Sequence, residues 1–121
     1  MTKTVLCVED NPTNLLLVAR IVEAEGLHLL QARTGPEALA ILEKKVPDII
    51  LLDINIPDVD GLEVARQIKA DARLQHIPLI ATTANVLVGD RERCLNAGCD
   101  EYLPKPLDIR QLRQIMRGFL Q

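Results

Sequence analysis

The run Ile49-Ile50-Leu51-Leu52 constrains the fold of this chain more than any other segment. Asp48 and Asp53 bound it, so the strand predicted from Asp48 to Asp53 carries apolar side chains on both of its faces. Such a strand has to be covered on both faces, which is typical of parallel sheets packed between two layers of helices. An antiparallel sheet with one solvated face would instead show alternating apolar and polar residues.

Four further segments have the composition of short strands, and helical patterns separate all five. The other predicted strands are Thr4 to Val8, Leu27 to Ala32, Pro78 to Thr82 and Glu101 to Leu103. The last is the most polar, as expected of an edge strand. Alternating strands and helices favour a parallel sheet with right-handed crossovers. We therefore predict an α/β fold, a flavodoxin-like (βα)5 three-layer sandwich with strand order 2-1-3-4-5.

Capping signals and apolar spacing predict the first three helices. Asn11 followed by Pro12 has the form of an N-cap and a first helical residue. Thr34 and Glu37 resemble a capping box for the second helix. The third follows a loop that contains Pro57 and ends near Gly61.

The last two helices carry less regular signals. The fourth is predicted from Val86 to Ala97 with Gly89 inside it, where glycine costs roughly 0.5–1 kcal/mol relative to alanine. We expect this weakness to give helix 4 a soft surface. Asp108 is expected to cap the fifth helix, whose inward residues are predicted to be Ile109, Leu112, Ile115 and Met116.

Length and composition limit the possible functions. The 121 residues are expected to form one domain, residues 1–121. A net charge of -3 and only two aromatic residues, Tyr102 and Phe119, argue against a nucleic-acid surface. No apolar stretch approaches the ~20 residues of a membrane span. Three cysteines without metal-site spacing suit a reducing cytoplasm, with Cys7 read as a core residue.

Carboxylates follow two strands that the predicted order places side by side. Glu9 and Asp10 come after the first strand, and Asp53 ends the third. Asp58, a little further on, is better read as a solvated turn acid, as is Asp60. Ligands of such sheets bind beyond the carboxyl ends of the strands at the switch point between strands 1 and 3. Because clustered carboxylates need a hard cation to offset them, we predict a Mg²⁺ site here.

A hydroxyl and an ammonium group are expected at the same edge. Thr82-Thr83 end the fourth strand, and Lys105 follows the fifth. The loop after the first strand has no glycine to cradle phosphate, which argues against a nucleotide or flavin cofactor. The set can instead transfer a phosphoryl group to a carboxylate, with Asp53 attacking in line while metal and lysine neutralise the phosphoryl oxygens.

Over essentially its whole length, the chain resembles the receiver domain of two-component response regulators. The order and spacing of the residues carry the resemblance: Glu9-Asp10, Asp53, Pro57, Gly61, Thr83-Ala84, Tyr102 and Lys105-Pro106. The stretch from Val8 to Asn14 is also similar to receivers attached to hybrid histidine kinases. The compact single domain is similar to stand-alone receivers too. The start at Met1 slightly favours a stand-alone receiver over one cut from a longer regulator.

The resemblance implies a role for each site residue. Asp53 would accept the phosphoryl group from the phosphohistidine of a sensor histidine kinase or a histidine phosphotransfer protein. Asp10 would bind Mg²⁺ directly, with help from Glu9, Asp53 and the backbone carbonyl of Asn55. Thr83 would donate its hydroxyl to the phosphoryl group, and Lys105 would pair with a phosphoryl oxygen.

The resemblance also implies a switch and a cellular setting. The Lys105-Pro106 peptide bond is expected to be cis. Tyr102 would swing inward as Thr83 moves, altering the helix 4, strand 5 and helix 5 face for a downstream protein. Asn55 and Asn85 occupy positions that tune hydrolysis in this family. The resemblance implies a cytoplasmic protein that is a monomer or a weak dimer. It is expected to catalyse its own phosphorylation and slow dephosphorylation. No contact with a membrane and no direct contact with nucleic acid are expected.

Simpler interpretations of single residues stay open. Asp10 can be a helix N-terminal acid, Asp53 a turn residue, Thr83 a cap and Lys105 a surface lysine. Tyr102 can be an ordinary strand residue. Two other function classes are also open. A dehalogenase-type phosphatase would need an acid two residues after the nucleophile, where this chain has Asn55. A binding module that kept the fold without the chemistry is the other.

Overall fold

The computed structural model describes residues 2–56, 60–84 and 89–120. In this part of the chain, five strands alternate with five helices. The strands are β1 Thr4–Val8, β2 His28–Ala32, β3 Ile49–Asp53, β4 Leu79–Thr83 and β5 Glu101–Pro104. The helices are α1 Pro12–Ala24, α2 Gly35–Lys44, α3 Gly61–Ala70, α4 Asp90–Asn96 and α5 Ile109–Leu120.

The strands form one parallel sheet in the order β2-β1-β3-β4-β5, which confirms the predicted topology. All five residues of β3 are buried, as are all five of β4. The polar strand β5 lies at an edge of the sheet, as expected. Since all neighbours are parallel, the carboxyl ends of β1, β3 and β4 meet at one edge.

Two apolar clusters fill the space on either side of the sheet. One contains inward residues of α1 and α5, including Leu15, Val22 and Leu112. The other contains residues of α2, α3 and α4, such as Leu42 and Ile68. This is the three-layer arrangement that the apolar run of β3 predicts. None of the helices in the described ranges has the length and apolar character that crossing a membrane requires.

Local signals explain most helix starts. The Asn11 side chain accepts hydrogen bonds from the backbone N–H groups of Thr13 and Asn14, and Pro12 is the first helical residue. The Thr34 hydroxyl accepts from the Glu37 N–H at 3.1 Å. Asp108 accepts from the Gln111 N–H at 2.9 Å. These contacts satisfy N–H groups that a helix leaves without intrahelical partners.

The prediction for helix 4 was partly wrong. Gly89 does not weaken the inside of a helix; it precedes α4 as its N-cap, with a φ of 93° that L side chains rarely adopt. The glycine therefore fits the turn into the helix. The predicted residues Val86–Val88 lie outside the described residues, as do Pro57, Asp58 and Asn85.

Two smaller expectations also need correction. Ile109 is 47% exposed and does not face the core, because it is the first residue of α5 and only the later apolar positions of that helix reach the sheet. Asp60 is more than a solvated turn acid, since its carboxylate accepts a hydrogen bond from the Leu62 N–H at 3.0 Å and caps α3.

Candidate functional site

Three carboxylates gather at the carboxyl edge of the sheet. One oxygen each from Glu9, Asp10 and Asp53 lies within 4.8 Å of the others. Glu9 and Asp53 are 3% and 2% exposed, whereas Asp10 is exposed to solvent. Val8 and Leu52 are register partners in adjacent strands, so Glu9 and Asp53 directly follow a paired position. The strand ends thus bring these side chains together.

Lys105 connects the two buried carboxylates. Its Nζ lies 2.7 Å from Oε1 of Glu9 and 3.0 Å from Oδ2 of Asp53. The backbone N–H of Lys105 donates to the carbonyl of Thr83 at 2.8 Å, which fixes the segment after β5 against the end of β4. The peptide bond between Lys105 and Pro106 is cis. The ammonium offsets part of the negative charge of the cluster.

The environment shifts the pKa of both partners. Burial raises the pKa of the Glu9 carboxyl, and the neighbouring Asp53 adds to that shift, against the opposing effect of Lys105. For Lys105, burial lowers the pKa, but the hydrogen bonds to Glu9 and Asp53 outweigh it and leave the pKa raised. Lys105 is therefore a stable cation that holds the site together.

Backbone N–H groups orient the carboxylates. Oδ1 of Asp53 accepts a hydrogen bond from the Asn55 N–H at 2.9 Å. Oε2 of Glu9 accepts from the Asn11 N–H at 3.2 Å. Among the described residues, Asn55 thus donates to one oxygen of Asp53 and Lys105 to the other. The carboxylate is held in one orientation at the end of β3.

The hydroxyl of Thr83 lies at the same edge but turns to Asn55. Thr83 is fully buried, and its Oγ1 donates to Oδ1 of Asn55 at 2.8 Å. The Ala84 N–H donates to the same oxygen at 3.0 Å. Sequence reasoning placed Asn55 in the site through its backbone carbonyl and missed these side-chain contacts. No sequence signal indicates them, because they depend on how the loops after β3 and β4 meet.

Tyr102 lies on β5 at the position paired with Ala81 of β4. Its side chain is half-buried and packs against the apolar cluster under α2, α3 and α4. It therefore lies on the edge strand β5, next to β4, the strand that ends in Thr83.

Gly61, the first residue of α3, allows the helix to pack closely against the backbone that follows Asp53. A Cβ at this position would meet the backbone of Ile54, with the carbonyl oxygen of Ile54 at 2.7 Å. Ile54 directly follows Asp53, and its N–H donates to the Thr82 carbonyl at 3.0 Å. The start of α3 therefore rests on the residue next to the central carboxylate, which only glycine allows.

The cysteines stand outside this chemistry. Cys7, Cys94 and Cys99 are buried thiols. Burial raises the pKa of the Cys7 thiol to about 12, and that of the Cys99 thiol to about 12 as well. Thiols with such values stay protonated near neutral pH, which is typical of core residues and not of metal ligands.

The donor set fits a hard divalent cation. Three carboxylates supply oxygen ligands, which Mg²⁺ prefers, and the exposed Asp10 leaves room for the waters that Mg²⁺ retains. A cation here would balance charge that Lys105 alone does not. The arrangement also places the Lys105 ammonium beside Oδ2 of Asp53.

Comparison with known proteins gives a consistent result. Residues 5–117 match the family model described as the response regulator receiver domain. The chain is 42% identical over 120 residues to the polar-differentiation response regulator DivK of Brucella ovis, covering 99% of this chain and 98% of that protein.

Solved structures agree with the fold. The receiver domain of the sensor histidine kinase PA1611 from Pseudomonas aeruginosa PAO1, with a magnesium ion coordinated in its active site cleft, is 35% identical. It gives a TM-score of 0.90 over 99% of this chain and 98% of that chain. The chemotaxis response regulator CheY4 of Vibrio cholerae is 23% identical with a TM-score of 0.91, covering 98% of this chain and 99% of that one. This last likeness concerns the fold alone.

Proposed function

Because this chain belongs to the response regulator receiver domain family of two-component signalling, we propose that Asp53 accepts a phosphoryl group from a phosphohistidine. One observation carries the proposal. The Asp53 carboxylate is held between the Asn55 N–H and Lys105 at the strand edge, beside Glu9 and Asp10. A buried carboxylate with such neighbours has the form of an activated nucleophile.

The proposed reaction is a single displacement. One carboxylate oxygen of Asp53 attacks phosphorus in line with the P–N bond of the phosphohistidine. The new O–P bond forms as the P–N bond breaks, and the imidazole leaves with the electron pair and takes a proton from solvent. The product is an aspartyl phosphate on this chain and a neutral histidine on the donor.

Glu9, Asp10 and Asp53, with the backbone carbonyl of Asn55, are proposed to hold Mg²⁺. When bound, the ion supplies positive charge that lets an anionic phosphoryl group approach three carboxylates. The exposed position of Asp10 supports its role as the residue that meets the ion first. Glu9 would share its charge between the ion and Lys105.

Lys105 and Thr83 are proposed to bind the transferred phosphoryl group. Lys105 contacts Oδ2 of Asp53, so a small displacement of Nζ would bring it to an oxygen of a phosphoryl group attached there. A charge-assisted bond of this kind is stronger than a neutral one. Thr83 ends β4, the strand next to β3, and its hydroxyl would donate to another phosphoryl oxygen.

The output is proposed to be a change in partner binding. As Thr83 moves toward the phosphoryl group, Tyr102 would shift inward and alter the surface formed by α4, β5 and α5. Phosphorylation then acts by favouring one of two existing arrangements. A sensor histidine kinase or a histidine phosphotransfer protein would be the donor, and a downstream protein would bind that surface.

Intact mass after incubation with Mg²⁺ and acetyl phosphate tests the proposal. We expect one added phosphoryl group and none when a chelator removes the metal. Continuous release of phosphate from an unrelated phosphomonoester would indicate a phosphatase instead. An unchanged mass under all conditions would indicate a binding module and overturn the proposal.

A further inference from the structure

The side-chain oxygen of Asn55 gathers two hydrogen-bond donors from the end of β4. It accepts from the Thr83 hydroxyl at 2.8 Å and from the Ala84 N–H at 3.0 Å. The second contact fixes the orientation of the amide. A backbone N–H can only donate, so the atom that faces Ala84 must be oxygen and not nitrogen. Thr83 must then also be the donor toward that oxygen.

The position of this contact matters because Asn55 is tied to the central carboxylate. The Asn55 N–H donates to Oδ1 of Asp53 at 2.9 Å. The backbone of Asn55 therefore binds Asp53, while its side chain binds the two groups at the end of β4. Asn55 is exposed to solvent, whereas Thr83 is fully buried. The exposed side chain of Asn55 thus accepts the hydrogen bond of the buried Thr83 hydroxyl.

We propose that the Asn55 side chain is a positioning residue that holds Thr83 and Ala84 in the resting protein and that a phosphoryl oxygen on Asp53 has to displace. The inference rests on the function proposed above. It adds that the Asn55 side-chain oxygen competes with the phosphoryl group for the hydrogen-bond donors of Thr83 and Ala84. A threonine hydroxyl has one hydrogen, so it cannot donate to Asn55 and to a phosphoryl oxygen at the same time.

The exchange is favourable for chemical reasons. The Asn55 oxygen is a neutral acceptor, whereas a phosphoryl oxygen is anionic. Hydrogen bonds to ionised acceptors are roughly twice as strong as neutral ones. The Thr83 hydroxyl and the Ala84 N–H therefore donate to the phosphoryl group once it is present. Breaking their hydrogen bonds to Asn55 costs part of the free energy of phosphoryl binding.

The affinity for beryllofluoride, an unreactive mimic of a phosphoryl group, tests the inference at saturating Mg²⁺. Asn55→Ala removes the competing acceptor but keeps the backbone N–H and carbonyl. We expect Asn55→Ala to bind beryllofluoride roughly tenfold more tightly than wild type, because two modest hydrogen bonds no longer need to be broken. Gln67→Ala, a change of an exposed amide side chain in α3, outside the surface formed by α4, β5 and α5, serves as the control and should bind like wild type.

A second measurement separates this role from a structural one. In a Thr83→Ala background, Asn55→Ala should change the affinity by clearly less than tenfold, since half of the contact has already been removed. The Ala84 amide proton, followed by NMR without beryllofluoride, should shift upfield in Asn55→Ala and stay unchanged in Gln67→Ala.

The outcomes distinguish the inference from the proposed function. If the wild-type protein does not bind beryllofluoride with Mg²⁺, the proposed function fails and the inference with it. If wild type binds and Asn55→Ala binds equally well or more weakly, the inference alone is overturned. The same applies if the two substitutions are fully additive.

Discussion

Lys105 Nζ lies 3.0 Å from Oδ2 of Asp53, and the two side chains are 13% and 3% exposed. The same ammonium is 2.7 Å from Glu9, so one cation serves two buried carboxylates. Mg²⁺ is proposed to bind those carboxylates as well. A bound Mg²⁺ would therefore share ligands with the lysine, and the charge of the site would depend on both.

Removing Lys105 should make the protein depend on Mg²⁺ for stability. Lys105→Met leaves Glu9 and Asp53 without their cation, and we expect a loss of about 2–3 kcal/mol in the free energy of unfolding without metal. Mg²⁺ should restore more stability to this variant than it adds to wild type. Urea unfolding with and without Mg²⁺ measures both effects. Equal stabilisation of the two proteins by Mg²⁺ would contradict the shared-ligand interpretation.

Asp10 should matter for Mg²⁺ and little for the fold, because its side chain is exposed. A ligand at one hundred times its dissociation constant stabilises a protein by about 2.7 kcal/mol. Asp10→Asn is expected to lose most of that increment while unfolding like wild type in the absence of metal. Glu92→Gln removes the same charge from an exposed position on α4 and should keep the full increment. The same loss in both variants would point to net charge instead of a ligand.

Substitution by alanine should have opposite effects on stability at Gly61 and at Gly118. Gly61→Ala forces a Cβ against the backbone of Ile54 next to Asp53, and we expect a cost of about 1–3 kcal/mol together with slower phosphorylation. At Gly118 a Cβ meets nothing within 4 Å, so Gly118→Ala in α5 should stabilise the protein by roughly 0.5 kcal/mol. Thermal unfolding of both variants checks the signs. A neutral Gly61→Ala would show that the contact with Ile54 relaxes freely.

The ion pair between Glu25 and Arg117 predicts a pH dependence of stability. Hydrogen bonding to Arg117 lowers the pKa of the Glu25 carboxyl, with a guanidinium nitrogen 2.7 Å from Oε1. A lowered folded-state pKa gives stability that is present above the unfolded pKa and lost as pH falls through the folded pKa.

Glu25→Gln should therefore be less stable than wild type at neutral pH. The difference should begin to shrink as pH falls to about 4.3, the pKa of an unfolded glutamate, and vanish only below the lowered folded-state pKa. Urea midpoints at several pH values provide the measurement. Glu23→Gln, a change at an exposed position in the last turn of α1, is the control for the loss of one negative charge. A pH-independent difference for Glu25→Gln would mean that packing, and not charge, is responsible.

The sequence predicts the scaffold and the members of the site better than their contacts. The apolar run of β3 and its terminal Asp53 are enough to predict a covered parallel sheet with a carboxylate at its edge. The pairing of Lys105 with Glu9, 96 positions apart in the sequence, depends on side-chain orientation at the edge and could not be read from spacing.

The start of helix 4 could not be predicted from the sequence for a different reason. The predicted helix ran across Gly89, but a glycine can also adopt the positive φ that precedes a helix, and propensity alone does not separate the two cases. The prediction that Ile109 faces the core was wrong for a similar reason. A helical pattern does not say which of the first residues of a helix reaches the core. The role of the Asn55 side chain depends on two loops meeting, which no local pattern records.

Phosphoryl transfer to Asp53→Asn from a phosphohistidine donor tests the central claim most directly. The substitution keeps the size of the side chain and one oxygen but removes the nucleophilic carboxylate. With radiolabelled phosphohistidine donor and Mg²⁺, wild type should gain one base-labile, hydroxylamine-sensitive phosphoryl group and Asp53→Asn none, and circular dichroism should show both proteins folded. Transfer to the variant at the wild-type rate would contradict the assignment of Asp53 as the acceptor.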